Sequence, residues 1–345
     1  MYPRAFTIQN DLGLGYMLIG QSEQALTPLN ERIRLTRNFA APYKLLAQSL
    51  IRLNRFAEAK DTLTQALQLK LDMPLYHTYL YQLAFINTDA AGMQQQLAWA
   101  QGRPDEYVAL DWQTGAAAFA GQWWQAQDFS RRAIELAAHN DNREVAARYA
   151  TEQALRSAVL GNCQMSKTSV AQGLAFGRGR IPLGRAALAL ALCGASPQAQ
   201  TLADELAKRF PEDTLSQGTW LPLMRAALQL QRGNAAQAIE QLQPTARYEA
   251  TAEFWPQYLR GQAYLQLKQG TEAAAEFQKI LDHRGYAPLS VLYPLAHLGL
   301  ARSGNLNGDM AQAQQAYADF LKLWKDADQD LPILKEARYE YAKAK

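Results

Sequence analysis

One spacing constrains this chain more than any other property. Leu12, Leu46 and Leu80 lie 34 residues apart, and the same step joins Ala25, Ala59 and Met93, and again Leu29, Leu63 and Leu97. Three positions keeping one register over three periods mark a structural unit copied along the chain. In the first copy the small residues Gly13 and Ala25 stand where two helices would cross, with Tyr16 and Leu29 beside them. Small side chains at the crossing let antiparallel helices approach closely, and the larger ones fill the space next to that contact. A helical hairpin of this kind cannot bury its apolar face alone. The copies must stack, so added length adds repeats and does not enlarge a single core.

Further along the register drifts while a second signature persists. A glycine followed five residues later by a small residue recurs at Gly121 and Ala126, Gly161 and Ser166, Gly194 and Ala199, Gly233 and Ala238, and Gly308 and Ala313. Each marks a turn and the second helix of a pair. An eighth unit carries Gly261 and Tyr264, then Ala273 and Phe277, with Lys268 in the place of the turn glycine. Nine helix pairs result, at 6–39, 40–73, 74–107, 107–146, 147–179, 180–218, 219–253, 254–293 and 294–327. Pro42, Pro74, Pro182, Pro222, Pro256 and Pro294 fall near the starts of first helices, where a missing N–H costs little. No segment alternates in the manner of a strand. The predicted fold is an all-α, right-handed α-solenoid of about nine pairs over residues 1–329, closed by a C-terminal capping helix over 330–345. In that cap, Pro332 starts a helix with Ile333, Leu334, Ala337 and Tyr341 on one face. The segments around His139 and Gly177 break the spacing, which predicts a bend or an extended loop in the fifth and sixth pairs. Pro3 stands just before a new pair, as at the end of a preceding repeat, so the chain is expected to begin within a longer protein.

Leu12-Gly-x-x-Tyr16 followed by Ala25-x-x-x-Leu29 resembles the tetratricopeptide repeat. Four later stretches are more specific: Asp204-Glu-Leu-Ala-Lys-Arg-Phe-Pro211, Ala274-Ala-Glu-Phe-Gln-Lys-Ile-Leu-Asp-His-Arg-Gly285, Leu292-Tyr-Pro-Leu-Ala-His-Leu298 and Phe320-Leu-Lys-Leu-Trp-Lys-Asp-Ala-Asp328. They resemble the C-terminal tetratricopeptide regions of bacterial serine/threonine protein kinases, and similar regions that follow winged-helix transcriptional regulators. The resemblance covers nearly the whole chain and is most specific from Gly194 onward. It implies an appended interaction region of a signalling protein, the tail of a kinase or the effector region of a regulator, and not the catalytic head. Gly304-Asn-Leu-Asn-Gly308 departs from that pattern, polar where the family continues a helix, which predicts an irregular helix there.

Composition narrows the function classes. Of 345 residues 48% are hydrophobic, enough for a folded protein. The formal charge of +3 arises from 35 basic and 32 acidic residues spread along the chain, so no strong field marks a nucleic-acid or anionic-membrane partner. The longest apolar stretch, 186–195, is about half of a membrane span. No membrane insertion is expected, residues 1–10 do not read as a secretory signal, and the compartment stays open between cytoplasmic and extracytoplasmic.

Catalytic and metal chemistry lack their residues. The phosphate loop, strand lysine, His-Arg-Asp loop and Asp-Phe-Gly of a kinase are missing, so the chain reads as non-enzymatic. Gly13-x-Gly15 and Gly177-x-Gly179 miss the phosphate-loop spacing. Asp326, Asp328 and Asp330 imitate a calcium loop, yet Leu331 and Ala337 occupy the positions that need Gly and Glu. His77, His139, His283 and His297 show no ligand spacing, so no metal and no cofactor is expected. Cys163 should open the second helix of the fifth pair and Cys193 close the first helix of the sixth. These are antiparallel neighbours, for which two partly buried free thiols are the favoured reading over a disulfide. Arg178, Arg180 and Arg185 form the one compact basic cluster, read as a solvated loop more readily than as a phosphate contact. Gln94, Gln95 and Gln96 read as the wet face of their helix. Trp99, Trp112, Trp123 and Trp124 read as core or loop anchors.

Function is expected on the first helices, on the face turned away from the packing positions, which lines the concave groove of such arrays. Those positions hold Asn10, Lys44, Gln48, Arg52, Thr78, Gln82, Asp111, Trp220, Tyr258 and Gln262. Amides pair with backbone groups and aromatics give rigid anchors, so the set suits a protein or peptide ligand laid along the groove, against the plainer reading of a solvated inner surface. The basic and amide clamp for a C-terminal carboxylate is not matched, because Leu14 stands where it needs an amide.

Overall fold

A computed structural model describes residues 5–344, so the proline of the N-terminal segment, Pro3, lies outside the described residues. The described chain is all-α, with nine helix pairs and one further helix. The pairs are α1 (Ala5–Leu18) with α2 (Ser22–Leu35), α3 (Ala40–Arg52) with α4 (Phe56–Gln68), α5 (Pro74–Ile86) with α6 (Ala90–Ala100), and α7 (Tyr107–Phe119) with α8 (Trp123–His139). There follow α9 (Arg143–Val159) with α10 (Cys163–Phe176), α11 (Arg180–Leu192) with α12 (Ser196–Arg209), and α13 (Leu221–Gln231) with α14 (Ala235–Leu242). The last are α15 (Trp255–Gln266) with α16 (Gly270–Asp282), α17 (Leu292–Asn307) with α18 (Met310–Leu323), and the closing helix α19 (Pro332–Lys343). All six prolines noted above lie in the first turns of first helices or start them.

The turn signature has a backbone cause. Gly121, Gly161, Gly194, Gly233 and Gly308 all have φ between 69° and 83°, the left-handed region that reverses a chain leaving a helix. Lys268 adopts it at φ 57°, confirming its place as a turn residue at the cost of side-chain strain. The small residue five positions later is fully buried in every case: Ala126, Ser166, Ala199, Ala238 and Ala313. The crossing glycines work as packing dictates, since a Cβ on Gly261 would sit 2.6 Å from the Phe277 ring.

Two of the expected irregularities have other causes. The drift in pairs four and five comes from helices α8 and α9 growing to 17 residues each, joined by three residues in a tight turn. No extended loop is needed. The helix α17 runs unbroken through Gly304, because Asn305 donates to the Tyr317 hydroxyl at 3.0 Å and Gly308 ends the helix in the left-handed region.

The chain divides into two compact units. The first comprises residues up to Arg103 with the segments Arg247–Glu253 and His283–Leu289. Its core holds Leu29, Tyr43, Leu46, Leu63, Tyr76 and Leu83, and the N–H of Gly285 donates to Asn54 Oδ1 at 2.9 Å. The second comprises Pro104–Ala246, Phe254–Asp282 and Ser290 to the end. Within it the fourth pair meets the segment after the ninth. Trp324, fully buried, donates its indole N–H to the Phe119 carbonyl at 3.0 Å, and Asp328 accepts the Trp124 N–H at 2.9 Å, capping α8. That contact gives the acidic triplet around Asp328 a structural role.

Candidate functional site

In the first unit the predicted residues fall on α1, α3 and α5. Lys44 and Gln48 share one face of α3, four residues apart, and Thr78 and Gln82 share one face of α5. All four are half-buried. Asn10 is half-buried with Oδ1 lacking a hydrogen-bond donor. Arg52 is turned into the unit: it donates to the Met17 carbonyl at 2.8 Å, and burial pushes its guanidinium pKa down. Its charge is spent on the fold.

In the second unit Tyr258 and Gln262 meet each other, while Asp111 and Trp220 are separate features. Trp220 sits in a π-helical turn, Ser216–Trp220, and lies so close over α11 that a Cβ on Gly184 would come within 2.6 Å of its ring. Tyr258 is 8% exposed and packs edge-on against Trp255 and Phe277, so this anchor belongs to the core. Burial pushes its hydroxyl up to about 12, opposed by Arg302 and by a hydrogen bond with Gln262.

Asp111 is different, because it stands among charges that sequence reasoning did not assemble. Arg148, Glu152 and Arg156 follow one another at four-residue steps on α9, and Arg185 reaches across from α11. Glu152 is gripped twice, by Arg185 Nη1 at 2.9 Å and by Arg156 Nη2. These guanidinium groups hold its carboxyl well below the usual range against the cost of burial. Asp111 has no such grip. Desolvation, joined by the negative charge of Glu152, raises its pKa to about 7, and the fields of Arg156, Arg148 and Arg185 only partly oppose this. Arg148 is exposed and makes no hydrogen bond or close ion pair among the described residues. Arg156 Nη1 is buried without a hydrogen-bond partner. The legible signal was the i, i+4 repetition of charge on α9.

Other singled-out residues resolve into packing. Arg178 pairs with Glu205, Arg180 with Asp213 at 3.3 Å and Arg185 with Glu152, so the basic cluster is internally neutralised. The glutamine run is not wholly wet: Gln96 is 6% exposed and meets His77 Nδ1 at 2.7 Å, while His77 stacks on Trp99. Trp112 and Trp123 are core residues and Trp124 is exposed. Cys163 opens α10 and Cys193 caps α11 as predicted, but the two are joined in a disulfide, with Cα atoms 5.4 Å apart. The antiparallel approach brings them within bonding distance, and free thiols do not occur. Among the described residues no group of His, Cys, Asp and Glu could hold a metal ion, and no helix is long and apolar enough to cross a membrane.

No protein-family model matches the chain, and no curated protein matches it. Solved structures do. Human IFIT1, as a dimer with PPP-AAAA, is similar at 14% identity over 99% of this chain and 85% of that one, with a TM-score of 0.51. The same protein with m7Gppp-AAAA gives 16% over 98% and 81%, also at 0.51. Yeast Tom70 gives 11% over 98% and 88%, at 0.43. At these identities the likeness speaks for the fold alone. The fold is that of tetratricopeptide-type helical repeats.

Proposed function

We propose that this chain is a non-catalytic scaffold that holds a peptide or partner helix on its first-helix faces, lining a concave groove. The observation that carries the reading is the set of polar side chains on those faces, the half-buried Lys44, Gln48, Thr78 and Gln82 in one unit and the half-buried Asp111 with its arginines in the other. Polar side chains held partly out of water favour a surface that pairs with backbone amides and charged groups of a ligand over one that merely faces water. The resemblance to kinase-appended and regulator-appended repeats gives the scaffold its context, the sensory or recruitment region of a larger bacterial signalling protein. Protein is favoured over nucleic acid as the ligand because the basic cluster at the start of α11 and just before it is paired with acids and the net charge is small.

The test is capture of partners by the whole chain, compared with a double variant, Lys44→Ala with Gln48→Ala. A partner retained by the parent and lost by the variant supports the reading. Capture of none under varied conditions, or equal capture by a variant of matched fold, counts against it. Fluorescence polarisation with single-stranded RNA is the companion measurement, and tight saturable binding there would replace protein with nucleic acid as the ligand.

A further inference from the structure

The face formed by Asp111, Arg148, Glu152, Arg156 and Arg185 contains more positive charge than its own acids neutralise. Three guanidinium groups stand against two carboxylates, which leaves one positive charge, or two when Asp111 carries a proton. Glu152 consumes Arg185 and one nitrogen of Arg156. The other terminal nitrogen of Arg156 is buried without a hydrogen-bond partner on a side chain that is 11% exposed, and the exposed Arg148 feels the fields of Asp111 and Glu152 but makes no side-chain hydrogen bond or close ion pair among the described residues. A buried guanidinium nitrogen with no acceptor is costly, and a planar fork of donors fits an oxyanion best.

We propose that this face is an oxyanion-binding site for an acidic or phosphorylated peptide segment, in which Arg148 and Arg156 donate to the carboxylate or phosphate beside Asp111. The proposal rests on the scaffold reading and names the chemistry of its ligand. Asp111 controls the site because an ionised carboxylate would repel the incoming anion, whereas a protonated one presents an O–H to it. The charged groups in its field are Glu152, Arg156 and Arg148 of α9 and Arg185 of α11, with Tyr149 also close enough to sense it. Of the helices packed on α7, α8 directs Asp128, Arg131, Arg132 and Glu135 at one another on its exposed side, and ends at His139. The other, α17, carries His297 edge-on to Tyr293 and Arg302 bound to Glu336 and Glu340. Burial and the neighbouring charge of Glu152 raise the Asp111 pKa toward the range in which an acidic peptide keeps its full charge, so the site would respond to pH there.

The test is fluorescence anisotropy of the whole chain with three dye-labelled short peptides, one rich in glutamate, its glutamine counterpart and a phosphoserine version. The glutamate peptide should bind about tenfold more tightly than the glutamine one, and about fivefold more tightly near pH 6 than near pH 8. Calorimetry in buffers of different ionisation enthalpy should register proton uptake near pH 7. Arg148→Gln, at an exposed position that leaves folding intact, should weaken the glutamate peptide by about fivefold or more. Asp111→Asn should keep the binding and flatten its pH dependence. Tighter binding of the phosphoserine peptide would identify phosphate as the source of the oxyanion, and equal binding would identify the carboxylate. The proposal is overturned by equal affinity for the glutamate and glutamine peptides, by an Arg148→Gln variant that binds as the parent does, or by a pH dependence that survives Asp111→Asn. A protein partner captured equally by the parent and Arg148→Gln would remove this site and leave the scaffold standing. Loss of every partner alongside intact peptide binding would do the reverse.

Discussion

The second and third pairs and the fourth to sixth pairs are built on the same helical hairpin, yet their first helices bury different things. On α3 and α5 the spacing is held at 34 residues, and one face of each helix carries half-buried polar side chains, Lys44 with Gln48 and Thr78 with Gln82, with Arg52 sunk into the fold. On α7, α9 and α11 the spacing stretches, and two acids gather with three arginines, of which Arg148 is exposed, Arg156 half-buried and Arg185 buried. A regular repeat can keep its inner face cheap because each polar group keeps some contact with water. Once charges are sunk between helices they must pair, and pairing that is incomplete leaves energy available to a ligand. The stretched region also contains the one disulfide. Regularity marks where the chain is built, and departure from it marks where the chain has chemistry to spend.

The sharpest way to break this contrast is to remove Glu152. Arg185, whose side chain is 7% exposed, and Arg156 would then be left facing one another without an acid between them. Removing one partner of a buried ion pair typically costs about 3–5 kcal/mol. Glu152→Ala should therefore shift the denaturant midpoint strongly, and Gln48→Ala on the regular face should scarcely move it. Comparable shifts for the two variants would mean that the faces do not differ in burial as described.

Reduction of the Cys163–Cys193 bond should come next. The bond closes a sequence separation of 30 and ties the fifth pair to the sixth. Cross-links of this kind contribute about 2–4 kcal/mol. Thermal unfolding with and without a thiol reductant should show that loss. Thiol titration of the unfolded chain should find no reactive thiol before reduction and two afterwards.

A smaller effect follows from Asp111, and its sign is fixed by the direction of its shift. Its folded pKa is raised from the ordinary aspartate value of 3.8 to about 7, so the native state holds this proton more tightly than the unfolded chain does. The associated stability is fully present below about pH 4, declines as pH rises through about 7, and is constant above. Asp111→Asn should remove that decline, leaving the variant more stable than the parent near pH 8 by on the order of 1–2 kcal/mol, discounted for a half-buried group, and nearly equal to it near pH 4. Glu152 works in the opposite direction: its pKa is lowered, so its contribution is present above the ordinary carboxylate range and is lost as pH falls below it. Denaturant unfolding across pH separates the two. A parent chain whose stability does not decline between about pH 5 and pH 8 would contradict the raised Asp111 pKa.

What was legible in the sequence was whatever depends on local backbone and small-residue packing. The turn glycines, the buried small residue five positions later, the proline starts and the nine pairs all follow from steric rules acting within a few residues. Even Lys268 was recognisable as a turn residue from its register alone. What was not legible depends on residues brought together from different helices. Asp111 was singled out by its position, but its significance comes from Glu152 and Arg185, 41 and 74 residues further on. Tyr258 was placed on the inner face by the same rule, and the ring of Phe277 draws it into the core. Gln96 was assigned to water from composition, and His77 takes it inside. The disulfide was missed in favour of free thiols because two cysteines on neighbouring helices fix proximity, and bonding also requires the helices to align at the level of their ends.

The smallest stability effect and the most direct functional one belong to the regular face. Lys44 and Gln48 are half-buried, and no part of the core is built on them. Lys44→Ala should change stability by no more than about 0.5 kcal/mol, the usual range for a surface substitution away from any special feature. If Lys44 meets a partner at the rim of the groove, the same change should slow association and reduce its dependence on salt, with little effect on dissociation, because an exposed charge steers encounter more than it holds a complex together. Trp220→Ala cannot serve the same purpose, since the indole packs directly on Gly184 and its loss would disturb α11 whether or not a ligand binds there. Stopped-flow association with any captured partner, measured over a range of ionic strength, provides the comparison. A Lys44→Ala variant with parental stability and an unchanged salt dependence would assign the regular face to architecture alone, and would leave binding to the charged face of α7, α9 and α11.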